Sequence, residues 1–123
     1  MTDASFPRSV RILRSADFER LRKTGKRCHA RNFRADVAFR EPGEEARLGL
    51  AVSRRVSKSA VRRNRIKRIC RDSFRLHRAQ LPALDIVLSA GPQADARDNA
   101  ELRADLAVLW QRLARLGEAP AAS

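Results

Sequence analysis

The sequence predicts a mixed α/β domain, on three patterns. FRADVAFR and RLGLAVS alternate apolar and polar residues, as half-buried strands do, and DIVLSA carries an unbroken apolar core of strand length. Two longer stretches, starting near Ala60 and near Asn99, repeat apolar residues every three or four positions, as amphipathic helices do. Strand, helix and strand in that order, from Arg47 to Ala90, make a βαβ unit with a last helix behind it.

Residues 1–9 read as loose chain punctuated by Pro7. Ser15 as N-cap and Gly25 as C-cap enclose a short helix, with Ile12, Leu13, Phe18 and Leu21 available for burial and a basic cluster of Arg14, Arg20, Arg22, Lys23, Lys26 and Arg27. Phe18 is either core or a platform on which an unpaired base stacks. In the first strand Phe33, Ala35, Val37 and Phe39 share one face, and Arg34, Asp36 and Arg40 the other. EPGEEA is a turn. The next strand sets Leu48, Leu50 and Val52 against Gly49, Ala51 and Ser53, and those small residues leave a face open to close approach. The two strands are expected to pair antiparallel. Residues 31–53 balance four basic against four acidic side chains, the composition of scaffold rather than of an anion site.

Ser59 is the N-cap of a basic helix running to Arg78. Ile66, Ile69, Cys70, Ser73, Leu76 and His77 fall on its core side; Asn64, Lys67, Arg68, Arg71, Arg75 and Arg78 fall opposite. Pro82 ends helical geometry, and Ile86-Val87-Leu88 implies a strand buried on both faces beside a parallel neighbour. In the last helix Leu102, Leu106, Leu109, Leu113 and Leu116 make a stripe flanked by Trp110, and the tail from Gly117 on is small and polar.

Charge narrows function. The chain of 123 residues carries 27 Lys and Arg against 14 Asp and Glu, net +13, and residues 54–78 hold eleven basic side chains and one acid, Asp72. Like charges at Arg63/Lys67, Lys67/Arg71 and Arg71/Arg75 each cost about 0.2–0.5 kcal/mol, offset only by Asp72 opposite Arg68. A merely solvated helix face interleaves its signs. A polyanion partner turns this repulsion into affinity, and the excess of Arg over Lys favours forked phosphate contacts.

Other functions are disfavoured. Cys28 and Cys70 have no metal-ligand spacing and read as reduced thiols. His29 and His77 lack nucleophile or acid partners nearby, and there is no Gly-rich phosphate loop, HExxH or paired-acid motif. No apolar run reaches the ~20 residues that span a bilayer, and MTDASFPRSV lacks a secretory core, so a cytoplasmic protein is expected, with no membrane partner. One domain, 1–123, with flexible tails at 1–7 and 117–123, is expected. The residues by themselves describe a binding module. A ribosomal or other structural RNA-binding protein fits the charge; a DNA-binding protein fits less well, since this basic face is broader than base-reading helices need.

The stretch GLAVSRRVSKSAVRRNRIKRICRDSFR resembles the signature of the bacterial ribonuclease P protein subunit, with Arg63-Asn64-Arg65 as its Arg-Asn-Arg motif and Ile66, Lys67, Arg68 and Arg71 following at matching places. ADFERLRKTG resembles that family's first helix, and Phe33 its following strand; the likeness spans roughly residues 8–91. The resemblance implies a two-layer αβββαβα sandwich with a left-handed βαβ crossover, similar to a ribosomal-protein domain. It implies an endoribonuclease holoenzyme in which a catalytic RNA, holding most of the Mg²⁺, removes the 5′ leader of precursor tRNA. Arg54, Arg55, Lys58, Arg62, Arg63, Asn64, Arg65, Lys67, Arg68 and Arg71 are the RNA-binding set so implied. Phe18, Arg22 and Phe33 would line a leader cleft between sheet and first helix. The chain departs from the pattern at Arg22, where family members often carry a second aromatic; a phosphate contact or guanidinium stacking replaces it.

Overall fold

The computed structural model describes Glu19, Leu21 and residues 25–116. Over 25–116 the elements run β1 (Lys26–Ala30), β2 (Phe33–Phe39), β3 (Arg47–Ala51), α1 (Ala60–His77), β4 (Leu84–Ala90) and α2 (Asn99–Leu116), with 3₁₀ turns at Arg78–Gln80 and Ala94–Ala96. This is the βββαβα part of the expected order; Glu19 and Leu21 are helical. The tails expected at 1–7 and 117–123 lie outside the described residues, as do Ser15, Phe18 and Arg22.

The sheet order is β1-β2-β4-β3. β4 runs parallel to β3 (Leu48 beside Ile86, Leu50 beside Leu88) and antiparallel to β2 (Ala35 beside Leu88, Val37 beside Ile86). This corrects the expected pairing of β2 with β3, because the two-sided apolar run of β4 takes the centre and separates them. The parallel β3–α1–β4 unit is present, and Ile86, Val87 and Leu88 are all buried. β1, which basic KRCHA does not announce by alternation, pairs antiparallel with β2.

Between β2 and β3, the Glu44 amide donates to the Glu41 carbonyl at 3.1 Å, with Pro42 at the first corner and Gly43 at φ 92°. That is a type II turn, whose second corner needs the left-handed backbone glycine tolerates. Gly25 answers to close approach instead: its amide closes a helical bond to Leu21 O at 2.9 Å, and a Cβ there would meet Val37 O at 2.5 Å.

One sheet face carries the main core. Phe33, Ala35, Val37, Leu48, Ile86 and Leu88 pack beneath Ile66, Ile69, Cys70 and Phe74 of α1 and the leucine stripe of α2. Trp110 joins this core: its Nε1 donates to Ser73 Oγ at 2.8 Å and its ring lies 5.8 Å from Phe74, tilted at 60°. That contact explains a correction on α1. Phe74 is fully buried, whereas Leu76, expected inside, is 68 % exposed. The two lie at opposite edges of the helix's apolar arc, and α2 covers only the Phe74 edge. The other sheet face holds a small cluster of Leu21, Val87 and Ala38.

Candidate nucleic-acid interface

The loop into α1 is built by its serines. Ser53 Oγ accepts the Arg55 amide (3.2 Å), Ser57 Oγ accepts the Ser59 amide (3.2 Å), and Ser59 Oγ caps α1 by accepting the Arg62 amide (3.3 Å). Each is a short side-chain-to-backbone bond that holds a turn where regular pairing stops. Val56, buried in the core, anchors the loop from beneath, so Arg54, Arg55 and Lys58 project outward.

The ten side chains expected to bind RNA separate into two groups. Arg63 folds back, Nη1 donating to the carbonyls of Ser57 (2.9 Å) and Lys58 (3.1 Å). Arg62 Nε lies 2.8 Å from both Asp95 carboxylate oxygens, and Arg65 donates to Asn99 Oδ1 and to the Asp95 and Arg97 carbonyls. These three arginines are engaged by the protein itself. Arg54, Arg55, Lys58, Asn64, Lys67, Arg68 and Arg71 make no side-chain hydrogen bond or ion pair with any described residue. Asp72 pairs with Arg75 at 3.9 Å rather than with Arg68, so even the one acid of this helix leaves the central cations uncompensated. Together the six cations and the Asn64 amide form a row, from loop to mid-helix, on which phosphates can supply the missing countercharge and accept a hydrogen bond.

The second sheet face treats its charges differently. Asp36, buried, takes Arg27 at 2.9 Å and Arg34 at 3.4 Å. Asp85, also buried, takes Arg47 through two bonds (2.7 and 2.9 Å) and Arg40 at 3.5 Å. At the strand ends, beside the β1–β2 turn, lies a groove lined among others by Phe33, Arg34, Ala51, Ser53, Ser89 and Gly91. The small residues of β3 and β4 keep it open, and Ser89 Oγ within it is buried without a described partner. Arg34 and Ser89 were not among the expected site residues; the polar half of the FRADVAFR alternation is the signal that marks Arg34.

Phe33 sits on the core side of β2 and also lines the groove at the strand end, beside Arg34. Its ring is 3 % exposed and packs in the core on the α1/α2 side, while Leu21 lies against the opposite face. The even-numbered residues of β2 are the ones on Leu21's side. The Cys70 thiol, buried, is pushed up to about 12 by desolvation, with Arg71 pulling weakly the other way; Cys28 is raised for the same main reason. Cys70 is therefore a neutral packing group at physiological pH. His77 Nδ1 lies 2.8 Å from the Ser73 carbonyl, a local structural contact.

Residues 6–114 match the family model described as Ribonuclease P. The chain belongs to the ribonuclease P protein family. Its curated relatives include the ribonuclease P protein components of Thioalkalivibrio sulfidiphilus (39 % identical over 111 residues, 90 % of this chain and 92 % of the relative) and Desulfovibrio desulfuricans (44 % over 113 residues, 89 % and 86 %). The ribonuclease P protein of Staphylococcus aureus superposes with a TM-score of 0.77 at 28 % identity, over 90 % of this chain and 97 % of that one. That of Thermotoga maritima gives 0.71 at 29 %, over 83 % and 96 %. Membership makes this chain the protein part of an endoribonuclease holoenzyme for tRNA 5′ processing. A purely structural RNA-binding role is not favoured.

Proposed function

We propose that the two surfaces of this ribonuclease P protein divide the RNA between them. The row Arg54, Arg55, Lys58, Asn64, Lys67, Arg68 and Arg71 takes phosphates of the catalytic ribonuclease P RNA. The observation that supports this most is that all seven lack protein partners among the described residues. The sheet face bearing Arg34, Ala51 and Ser89, with its groove, takes the single-stranded 5′ leader of precursor tRNA. Small residues there admit a backbone, and Arg34 offers a cation that is only partly committed to Asp36. Phe18 and Arg22 are proposed partners of the same leader, as the family resemblance suggests.

Mg²⁺ belongs in this reading to the RNA. The described residues contain no group of three or more His, Cys, Asp or Glu able to hold a metal, and the buried carboxylates Asp36 and Asp85 are each occupied by two arginines. No helix among the described residues is long and apolar enough to cross a membrane; a cytoplasmic setting is part of the proposal.

Reconstitution is the test. The full chain is mixed with ribonuclease P RNA and precursor tRNA at low Mg²⁺, and leader release is followed with each component omitted in turn. Efficient cleavage is expected only with both. In the assembled holoenzyme, Phe18→Ala should weaken precursor tRNA by about 1–3 kcal/mol, the worth of one stacked base, and leave mature tRNA unchanged. Equal loss for both tRNAs would remove Phe18 from the leader site. Cleavage by the protein without RNA would contradict the division of labour altogether.

A further inference from the structure

Arg65 stands in the middle of the basic signature, yet its surroundings differ from those of Asn64 and Arg68 on either side. Nη1 donates to Asn99 Oδ1 at 2.6 Å, and Nη2 to the main-chain carbonyls of Asp95 (3.3 Å) and Arg97 (3.2 Å). Asn99 is the first residue of α2, and the Asp95 and Arg97 carbonyls belong to the 3₁₀ turn and its exit. That region is itself fixed: Ala94 is fully buried, and Asp98 and Glu101 exchange amide-to-carboxylate bonds at 2.8 and 3.1 Å, a capping box that starts α2. The next residue along α1, Ile66, is fully buried. Arg62 reaches the same turn through the Asp95 carboxylate.

A phosphate approaching Arg65 would have to displace an amide oxygen and two carbonyls, leaving part-buried acceptors unsatisfied. A guanidinium can span three acceptors on a turn because its donors are fixed in a plane; an ammonium cannot. We infer that Arg65 is a positioning residue rather than an RNA ligand: it ties the first half of α1 to the start of α2 and so sets the height at which Asn64, Lys67, Arg68 and Arg71 meet RNA. The inference rests on the reading of α1 as the RNA surface. Within that surface it separates a basic side chain that faces RNA from one that aims the others.

The experiment measures affinity of the full chain for ribonuclease P RNA across a salt series, with the melting temperature of each variant, at a temperature where all are folded. Wild-type binding in the same series checks the RNA surface itself, so loss of that premise is visible separately. Arg65→Ala should melt lower by roughly 5 °C and bind RNA about fivefold more weakly, with the log-log salt slope unchanged, because no phosphate contact is lost. Arg65→Lys keeps the charge and should fail to restore either property. Asn99→Ala removes an acceptor without touching any cation, and should reproduce part of both losses at the same slope. Its effect should vanish in the Arg65→Ala background. If Arg65→Ala does not fold, Asn99→Ala decides alone. A slope shallower by close to one unit in Arg65→Ala would make Arg65 an RNA ligand and overturn the inference. Full rescue by Arg65→Lys, or an Asn99→Ala variant that binds RNA and melts as wild type does, would overturn it as well.

Discussion

The second face of the sheet and the outward face of α1 are both rich in arginine, and they differ in where the countercharge comes from. On the sheet, Asp36 gathers Arg27 and Arg34, and Asp85 gathers Arg40 and Arg47; both carboxylates are buried. On α1, Lys67, Arg68 and Arg71 form no ion pair with any acid among the described residues. A buried carboxylate shared by two arginines is a structural device, since removing it takes away the countercharge that both are arranged around. A helix face of unpaired cations is weakly self-repelling and gains only when another molecule brings negative charge. Arginine count alone does not distinguish the two; the position of the aspartates does.

The largest effect is expected on the sheet. Asp85→Ala leaves Arg47 and Arg40 without their shared carboxylate and should destabilise the fold by about 3 kcal/mol in chemical denaturation. A loss under about 1 kcal/mol would mean that water replaces Asp85 easily and that the sheet charges are not structural. On α1 the consequence should reverse. Arg71→Ala should change stability by no more than about 0.5 kcal/mol and weaken binding to ribonuclease P RNA by about 2 kcal/mol. A folding defect with intact RNA affinity would move Arg71 to the structural class. The smallest change sharpens the contrast from the other side. Asp72 is the single acid of α1 and pairs with Arg75 at only 3.9 Å. Asp72→Ala should therefore tighten RNA binding slightly, by no more than about 0.5 kcal/mol, with the melting curve nearly unmoved.

Residue patterns anticipated the elements better than their arrangement. The Ser59 cap, the α1 span, the Pro42-Gly43 turn and the two-sided burial of β4 follow from local chemistry, and local chemistry is what a sequence displays directly. Strand pairing is a long-range choice: nothing in FRADVAFR or RLGLAVS says that β4 will come between them. β1 was hidden because its exposed edge is basic; the order implied by the family resemblance has three strands before α1, but no residue pattern placed one at Lys26–Ala30. Leu76 was expected inside and Phe74 was not named, because the helix wheel cannot show where α2 will lie. The basic face was visible as a face; its division was not. Arg62 and Arg65 find their acceptors 30 to 34 residues away, in a stretch that reads as an ordinary loop. Phe33 fell on the expected strand and on the core side of it, the side its own alternation with Ala35 and Val37 had indicated.

The most direct test of the contrast is the salt dependence of binding to ribonuclease P RNA for wild type, Arg68→Ala and Arg27→Ala. With roughly six to eight phosphates neutralised, the wild-type log-log slope should lie near −4 to −7. Arg68→Ala, which removes an unpaired cation, should make it shallower by about 0.9, while Arg27→Ala, which removes a cation already matched to Asp36, should leave it unchanged. Equal shallowing by both variants, or a slope near zero in wild type, would contradict the account, because charge on α1 would then be no more available to RNA than charge on the sheet.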